Sequence, residues 1–554
     1  MGETRTGGRL LVECLLAQEV RAIFGVPGES YLPVLDALHD EEEAIRLVPN
    51  RHEGGAALAA AAWGQLTGEP GIAFVSCGPG AANAAVGVHS AQQDSAPMIL
   101  FVGQVQTAFR GREAFQEIDI RAMYGGIAKW AVEVDTPERI PGLVARAFAT
   151  AMSGRPGPVV VALPEDVLAA ATEVGPGPKA RVPRPAPAKR DIEELARLLQ
   201  EAERPLVIAG GSGWSDIARA DLRAFAEGNS LPVLTAFRRQ DLLDSDSPSY
   251  VGDAGLGKAE AVRELMDSAD LVLALGLRFS ENVTDGYSRF AVPKMAPVLI
   301  HAHASEGELN KIYTADLPIH AAPDHLMAAL RHLRIDGRER WVGRTRAARA
   351  AYLARNDDLP EPPGKLDLRA VIAHLAGALP PDAIVTNGAG NFAIWPNRHL
   401  AFRGHQRLVA PQSGAMGFGL PAGIAARIAF PERCTVTFTG DGDLQMVLAE
   451  LGTAKQAEAC PVILLVNNAS YGTIRMHQEQ QYPGRVIFTD LDNPDFVALA
   501  HAYGLHGERV TRTAEFVPAF ERTRAAGGGI VELVFPVEAI TPRTTLTALR
   551  EGSG

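Results

Sequence analysis

Short apolar runs alternating with alanine-rich stretches constrain this chain more tightly than any other feature. Residues 157–163 (GPVVVAL), 271–277 (LVLALGL), 435–439 (TVTFT) and Val462–Asn467 are of strand length and rich in β-branched or aliphatic residues, and helical stretches separate them. Strand and helix in alternation lead to parallel sheets covered by helices. Two segments break the pattern: 175–189 (GPGPKARVPRPAPAK) and 357–365 (DDLPEPPGK) are too rich in proline to hold a helix or a central strand. They read as interdomain linkers. A chain of 554 residues is also too long for one hydrophobic core. The expectation is an α/β protein of three doubly wound parallel-sheet domains, over residues 1–174, 190–335 and 366–548. No short repeat is visible and none is inferred, although the first and third segments are free to share an architecture.

Composition narrows the function classes. With 47% hydrophobic and 21% charged residues the chain has the make-up of an ordinary packed protein. A net charge of -12 repels phosphate backbones and anionic lipid, and no Lys/Arg cluster offsets it, so neither nucleic acid nor a membrane is an expected partner. The start, MGETRTGGRLLVECLLAQEV, lacks the features of a secretory signal, and no later run of about 18 apolar residues occurs. The expected location is cytoplasmic. Cys14, Cys77, Cys434 and Cys460 lie far apart without a C-x-x-C pair, as reduced and mostly buried thiols do.

The most specific chemistry lies near the C-terminus. The run 435–439 leads into Gly440-Asp441-Gly442-Asp443, and Val462–Asn467 ends at Asn467-Asn468, which puts Asp441 and Asn468 27 positions apart. Both motifs sit at carboxyl ends of strands, which in an open parallel sheet line the ligand crevice. One carboxylate and one amide oxygen can converge there on a hard cation that also holds a diphosphate, and Mg2+ suits that ligand set. Gly440 and Gly442 let backbone N–H groups approach phosphate oxygens. Upstream, 48–57 (VPNRHEGGAA) is a strand end turning into an alanine-rich helix, with Glu53 near the helix start; an exposed glutamate favoured by the helix dipole is its plain alternative.

Taken together with Ser470-Tyr471-Gly472, the paired strand-end motifs resemble the metal and diphosphate motif of thiamine-diphosphate enzymes. That resemblance implies Asp441, Asn468 and the Ser470 backbone carbonyl as metal ligands, with Tyr471 and Gly472 beside the cofactor. RHEGGAA resembles the segment whose glutamate, here Glu53, hydrogen-bonds the cofactor's aminopyrimidine ring. A carboxyl donating to that ring nitrogen favours the imino tautomer, which then serves as base for the thiazolium C2 proton. Residues 412–419 (QSGAMGFG) resemble the stretch that bends the cofactor, with Met416 as the wedge and Gly414 offering its carbonyl. FGVPG at 24–28, SCGPGAAN at 76–83 (with Pro79 at the cofactor), GQV at 103–105, AFQE at 114–117, GRPGPV at 154–159 and GLRF at 276–279 extend the likeness over almost the whole chain. It is most similar to the acetolactate synthase and pyruvate oxidase group, whose three domains bind pyrimidine, a variable nucleotide or nothing, and diphosphate. The resemblance further implies a homodimer or homotetramer whose active sites lie between subunits.

The reaction is less sharply marked. The chain reads 387–395 as NGAGNFAIW where acetolactate synthases carry a Gln-His pair; Gly390 and Asn391 can still meet phosphate through backbone groups. Glu29, in FGVPGES, falls where pyruvate decarboxylases carry a catalytic aspartate. A raised carboxyl there can exchange a proton with the intermediate, or simply cap a helix N-terminus. Gln116 and Lys129 match positions near substrate or cofactor entry in acetolactate synthases, and His89 is the nearest candidate for the decarboxylases' missing histidines. In the central segment, 209–213 (AGGSG) and 276–286 (GLRFSENVTDG) resemble nucleotide- and flavin-contacting stretches, but HAHA at 301–304 replaces the expected acidic residue. That weighs against a tightly bound FAD. The reading is decarboxylation or carboligation of a 2-keto acid such as pyruvate. The alternatives are a 2-hydroxyacyl-CoA lyase or oxalyl-CoA decarboxylase, for which the C-terminus after 542–545 (PRTT) is short, and a non-catalytic cofactor-binding subunit.

Overall fold

The computed structural model describes residues 4–552. It contains three six-stranded sheets, and every strand pairing within them is parallel. Helices cover both faces, so the α/β fold of three parallel-sheet domains expected from the alternation is the fold observed. In the strand Leu271–Leu275 no residue exceeds 1% exposure, which is why such runs are continuously apolar rather than alternating. The proline-rich stretch from 175 to 188 carries no helix or strand, and the helix Lys189–Glu201 begins directly after it.

The first and third sheets have the same strand order. In the N-terminal sheet it runs Arg46–Pro49, Ala22–Gly25, Gly71–Val75, Met98–Gln104, Pro158–Pro164, Trp130–Glu133. In the C-terminal sheet it runs Arg407–Val409, Ile384–Asn387, Thr435–Gly440, Val462–Asn467, Gly529–Val534, His506–Val510. Numbered along each domain, both read 2-1-3-4-6-5, a shared architecture without a visible sequence repeat. The central sheet differs: its first strand, Pro205–Ala209, lies beside its fourth, Leu271–Leu275, in the order 3-2-1-4-5-6. In each sheet the direction of winding reverses beside the first strand, and crevices for ligands form at the carboxyl ends of strands on either side of that reversal.

The N- and C-terminal domains share one core. Every residue of the helix Glu53–Thr67 from Gly54 to Gly64 is buried, because the helix lies between its own sheet, the helix Gly78–Asp94 and the C-terminal domain's helix Gly419–Ala429. A helix enclosed on all sides needs small residues all round, which accounts for its GGAALAAAA sequence. The approach is close enough that a Cβ on Gly87 would lie 2.3 Å from that of Ala57. Among the described residues no helix is long and apolar enough to cross a membrane. The four cysteines are unpaired, three of them buried.

Candidate active site

At the winding reversal of the C-terminal sheet, between the ends of Ile384–Asn387 and Thr435–Gly440, lies a cavity of about 770 Å³. Gly390, Asn391, Gly414, Met416, Gly440, Asp441, Gly442, Asp443, Asn468, Ser470, Tyr471 and Gly472 all line it. Two consecutive strands and the loops after them therefore bring the strand-end motifs together.

Asp441 opens a short helix, Asp441–Gln445, and is 2% exposed. Its carboxylate accepts a hydrogen bond from Asn493 Nδ2 at 2.7 Å, and burial raises its pKa above the usual carboxylate value. A buried carboxylate held up in this way is stabilised by a neighbouring cation. Asn493 also donates to Asn467 Oδ1 at 2.9 Å and accepts from Gln445 at 2.8 Å, so one side chain ties the two strand-end motifs together. Sequence reading missed it, because an asparagine in a DNPD loop carries no signal of its own. Asn468 Oδ1 accepts from Ser470 N at 3.2 Å, which turns the chain so that the Ser470 side chain reaches Thr489 O at 3.0 Å. The Ser470 carbonyl accepts from Gly472 N at 2.8 Å. A Cβ on Gly442 would meet the Tyr471 ring at 2.6 Å, so this glycine is needed for packing as well as for access to its N–H.

Asp443 lines the same cavity, but both of its oxygens are engaged by protein. They accept from Gly417 N at 2.8 Å, Ala389 N at 3.1 Å and Thr439 Oγ1 at 2.7 Å, and burial lifts its pKa to about 6. What its side chain does here is clamp the loop after Asn387 to the loop that carries Met416. Asn391 donates to Ile540 O at 2.9 Å while its buried Oδ1 has no protein partner.

The N-terminal candidates form a second cluster. Glu53 accepts from Asn83 Nδ2 at 2.9 Å, and Gly78 N donates to Gln116 O at 2.9 Å, which places Pro79 and Gln116 near the start of the Glu53 helix. Gln116 has a positive φ of 65°, and Glu29 and Pro79 are exposed. Glu53, Glu29, Pro79 and Gln116 do not line the 770 Å³ cavity; within one chain the two clusters stay apart. His89 lines a different cavity of about 370 Å³, and Lys129 donates to Thr150 O and Ser153 O on the wall of a further groove. Glu450, also missed from sequence, is fully buried in the C-terminal domain and accepts from Asn50 Nδ2, Arg51 N and His52 N at 2.9, 3.2 and 3.0 Å. It holds the three residues that precede Glu53.

Comparison with known proteins identifies the domains. Residues 5–123 match the thiamine pyrophosphate enzyme N-terminal TPP binding domain, 192–330 the central domain and 388–533 the C-terminal TPP binding domain. The acetolactate synthase isozyme 2 large subunit of Escherichia coli is 31% identical over 93% of this chain and 92% of its own length. The acetolactate synthase large subunit of Corynebacterium glutamicum is 34% identical over 94% and 85%, and the mitochondrial acetolactate synthase catalytic subunit of Saccharomyces cerevisiae 32% identical over 92% and 77%. With all three domains matched in order and relatives of this identity along nearly the full chain, the protein belongs to the thiamine pyrophosphate enzyme family, in the group of the acetolactate synthases.

Proposed function

We propose that this enzyme uses thiamine diphosphate and Mg2+ to decarboxylate a 2-keto acid such as pyruvate and to pass the remaining acyl unit to an acceptor carbonyl or a proton. The observation that carries the reading is the convergence of Asp441, Asn468 and Ser470 with Gly414 and Met416 on one cavity at the reversal of the C-terminal sheet. The donors fit the group. No set of three or more His, Cys, Asp or Glu that could hold a metal occurs among the described residues. A single carboxylate with an amide and a backbone carbonyl suits a hard cation that takes its other ligands from phosphate oxygens.

When bound, thiamine diphosphate supplies an electron sink for negative charge on carbon beside a carbonyl. The protein's residues supply the rest. Asp441, Asn468 and the Ser470 carbonyl would hold Mg2+, and backbone N–H groups near Gly390 and Gly442 would meet the diphosphate. Met416 would prop the two rings together, and Gly414 would accept from the amino group. The partner subunit's Glu53 would hold a proton against the pyrimidine ring nitrogen, with Gln116 and Glu29 facing the substrate from the same side. Assembly through this face is supported by exposed apolar side chains bordering both clusters: Phe115 is 82% exposed and Phe488 98%, with Ile474 and Ile487 beside the latter. Such surface is costly to leave in water. A homodimer is the smallest assembly that joins the clusters. FAD is left out of the proposed cofactor set, because Phe279, His301 and Tyr313 pack edge to face at the central domain's cavity and His301 and His303 stand where the resemblance expects an acid.

The test is carbon dioxide release with mass-spectrometric product analysis, using protein, thiamine diphosphate, Mg2+ and a panel of 2-keto acids and 2-hydroxyacyl-CoA esters. Carbon dioxide from a keto acid, dependent on both cofactors, supports the proposal and the product names the acceptor. Cleavage of an acyl-CoA ester alone would replace it with the lyase reading.

A further inference from the structure

The active-site cavity extends beyond the strand ends to the seam between the central and C-terminal domains. There its wall is built from Tyr250, Lys258, Tyr352, Arg355, Arg398 and Arg543, residues from both domains and from the C-terminal segment. Lys258 is paired with Asp285. The three arginines are not: among the described residues none of them forms an ion pair with a carboxylate, and their hydrogen bonds go mostly to backbone carbonyls. Arg355 Nε and Nη2 donate to Arg398 O at 3.2 and 3.1 Å, and its guanidinium lies 3.9 Å from the centre of the Tyr352 ring. Arg398 donates to Asn356 Oδ1 at 3.1 Å and to Arg355 O. Arg543 reaches only Lys258 O, at 3.5 Å.

Charge at this end does not balance. Burial, Arg543 and Arg355 together pull the Arg398 pKa down to about 10, so it remains a cation at neutral pH under repulsion from its neighbours. The acid facing Arg355 and Arg398 is the half-buried Asp253, whose Oδ1 accepts from Gly255 N at 2.8 Å and whose pKa desolvation lifts to about 6. Arg355 and Arg398 act on that carboxylate together with Lys258, while the acid acting on Arg543 is the exposed Glu260, which is itself paired with Arg263. Arg238, the other arginine on the cavity wall, is engaged by the carbonyls of Pro411 and Gly388. The groups acting on Asp441, in contrast, are Asn493 and nearby backbone, so the cationic end and the metal end of the cavity are distinct. Partly desolvated guanidinium groups on one cavity wall with no carboxylate in direct ion pair cost stability, and a bound oxyanion reverses that cost through charge-assisted hydrogen bonds.

We propose that Arg355, Arg398 and Arg543 form an oxyanion subsite, taking a second carboxylate or a phosphate carried by the substrate at the end remote from its reacting carbonyl. The proposal deepens the assignment of a 2-keto acid and rests on it for the word substrate. It identifies the class as one with an anionic tail, in place of a plain aliphatic keto acid.

The test reads binding rather than turnover, so it remains decisive if no keto acid is consumed and the proposed function itself falls. Holoenzyme loaded with thiamine diphosphate and Mg2+ is titrated by calorimetry with glutarate, with glycerol 3-phosphate and with uncharged glycerol. One of the two anions is expected to bind, to weaken as salt is raised, and to lose about tenfold or more in affinity in R543Q. Glutarate binding identifies the carboxylate source and glycerol 3-phosphate the phosphate source. R543Q removes a single long contact, and its melting transition shows whether it folds; R398K, which keeps charge but not the fork, serves as second variant with the same expectation. The proposal is overturned if neither anion binds more tightly than glycerol, or if both variants bind as the parent does. It is equally overturned if the variants lose affinity for thiamine diphosphate alone, since the arginines would then serve the cofactor.

Discussion

Glu450 shows how a single buried side chain can set a site it does not touch. Fully buried, it accepts from Asn50, Arg51 and His52 and also from Thr453 Oγ1 at 2.6 Å. Glu450→Gln turns one acceptor into a donor facing donors, at a cost of about 1–3 kcal/mol. A lowered melting temperature and reduced turnover, with thiamine diphosphate affinity retained, are expected; unchanged turnover would remove its positioning role. Glu53→Gln should retain cofactor binding and lose roughly 10²- to 10⁴-fold in turnover, the usual worth of a positioned proton donor. Full activity in that variant contradicts the proposed role. At the metal end, Asp441→Ala should abolish Mg2+-dependent cofactor binding. Asn493→Ala should raise the Mg2+ concentration needed for half-saturation by about 10- to 100-fold, the scale seen when the group that orients a metal ligand is lost. Equal Mg2+ dependence in parent and N493A would show that Asp441 does not need that hydrogen bond.

At the scale of elements, the helix Glu53–Thr67 couples packing to chemistry. His52 Nδ1 accepts from Gly54 N at 3.0 Å and so caps the helix whose first residue is Glu53, while every position from Gly54 to Gly64 is buried. Gly87→Ala would put a methyl 2.3 Å from the Ala57 Cβ and force the helices Glu53–Thr67 and Gly78–Asp94 apart, a cost of about 1–3 kcal/mol. Its melting temperature should fall and turnover should fall with it, because Asn83, the partner of Glu53, rides on the displaced helix. A melting temperature equal to the parent's would mean that the contact relaxes without cost. These elements were legible from sequence: RHEGGAA announced the helix start and its alanines the helix. What enclosed the helix was not legible, since alanine at every position is equally compatible with several packing partners.

At the scale of the molecule, the three domains meet around buried charges. Asp94 of the N-terminal domain accepts from Ser413 N at 3.0 Å, and Arg238 of the central domain holds the carbonyls of Pro411 and Gly388, so all three domains fix the loop that carries Gly414 and Met416. Burial raises the Asp94 pKa from 3.8 to about 7. A carboxyl raised in the folded state binds its proton more tightly there than in the unfolded chain. Its contribution to stability is therefore full below 3.8 and is lost as pH rises towards 7. Asp94→Asn cannot ionise, so its stability should gain on the parent's between about pH 4 and pH 7, by at most about 1.4 kcal/mol per pH unit, and level off above, with the melting temperature following. A difference that does not change with pH would show that Asp94 is not the group that titrates.

The sequence by itself determined the α/β class, the parallel sheets and the strand-end residues that line the metal end of the cavity, because these depend on short-range signals. Continuous apolar runs mark strands covered on both faces, and Gly-Asp-Gly and Asn-Asn at their carboxyl ends fall where open sheets bind ligands. Only the tertiary structure decided that Asp443 clamps two loops, that Asn493 and Glu450 orient groups far from them in sequence, and that Arg355, Arg398 and Arg543 line one cavity without a direct ion pair. In sequence each of these is an ordinary polar residue of a loop or helix; what it does depends on the direction of its side chain and on partners 26 to 400 positions away. Tertiary structure also decided that Glu53 and Asp441 belong to separate clusters within one chain, since Glu53 does not line the cavity that holds Asp441.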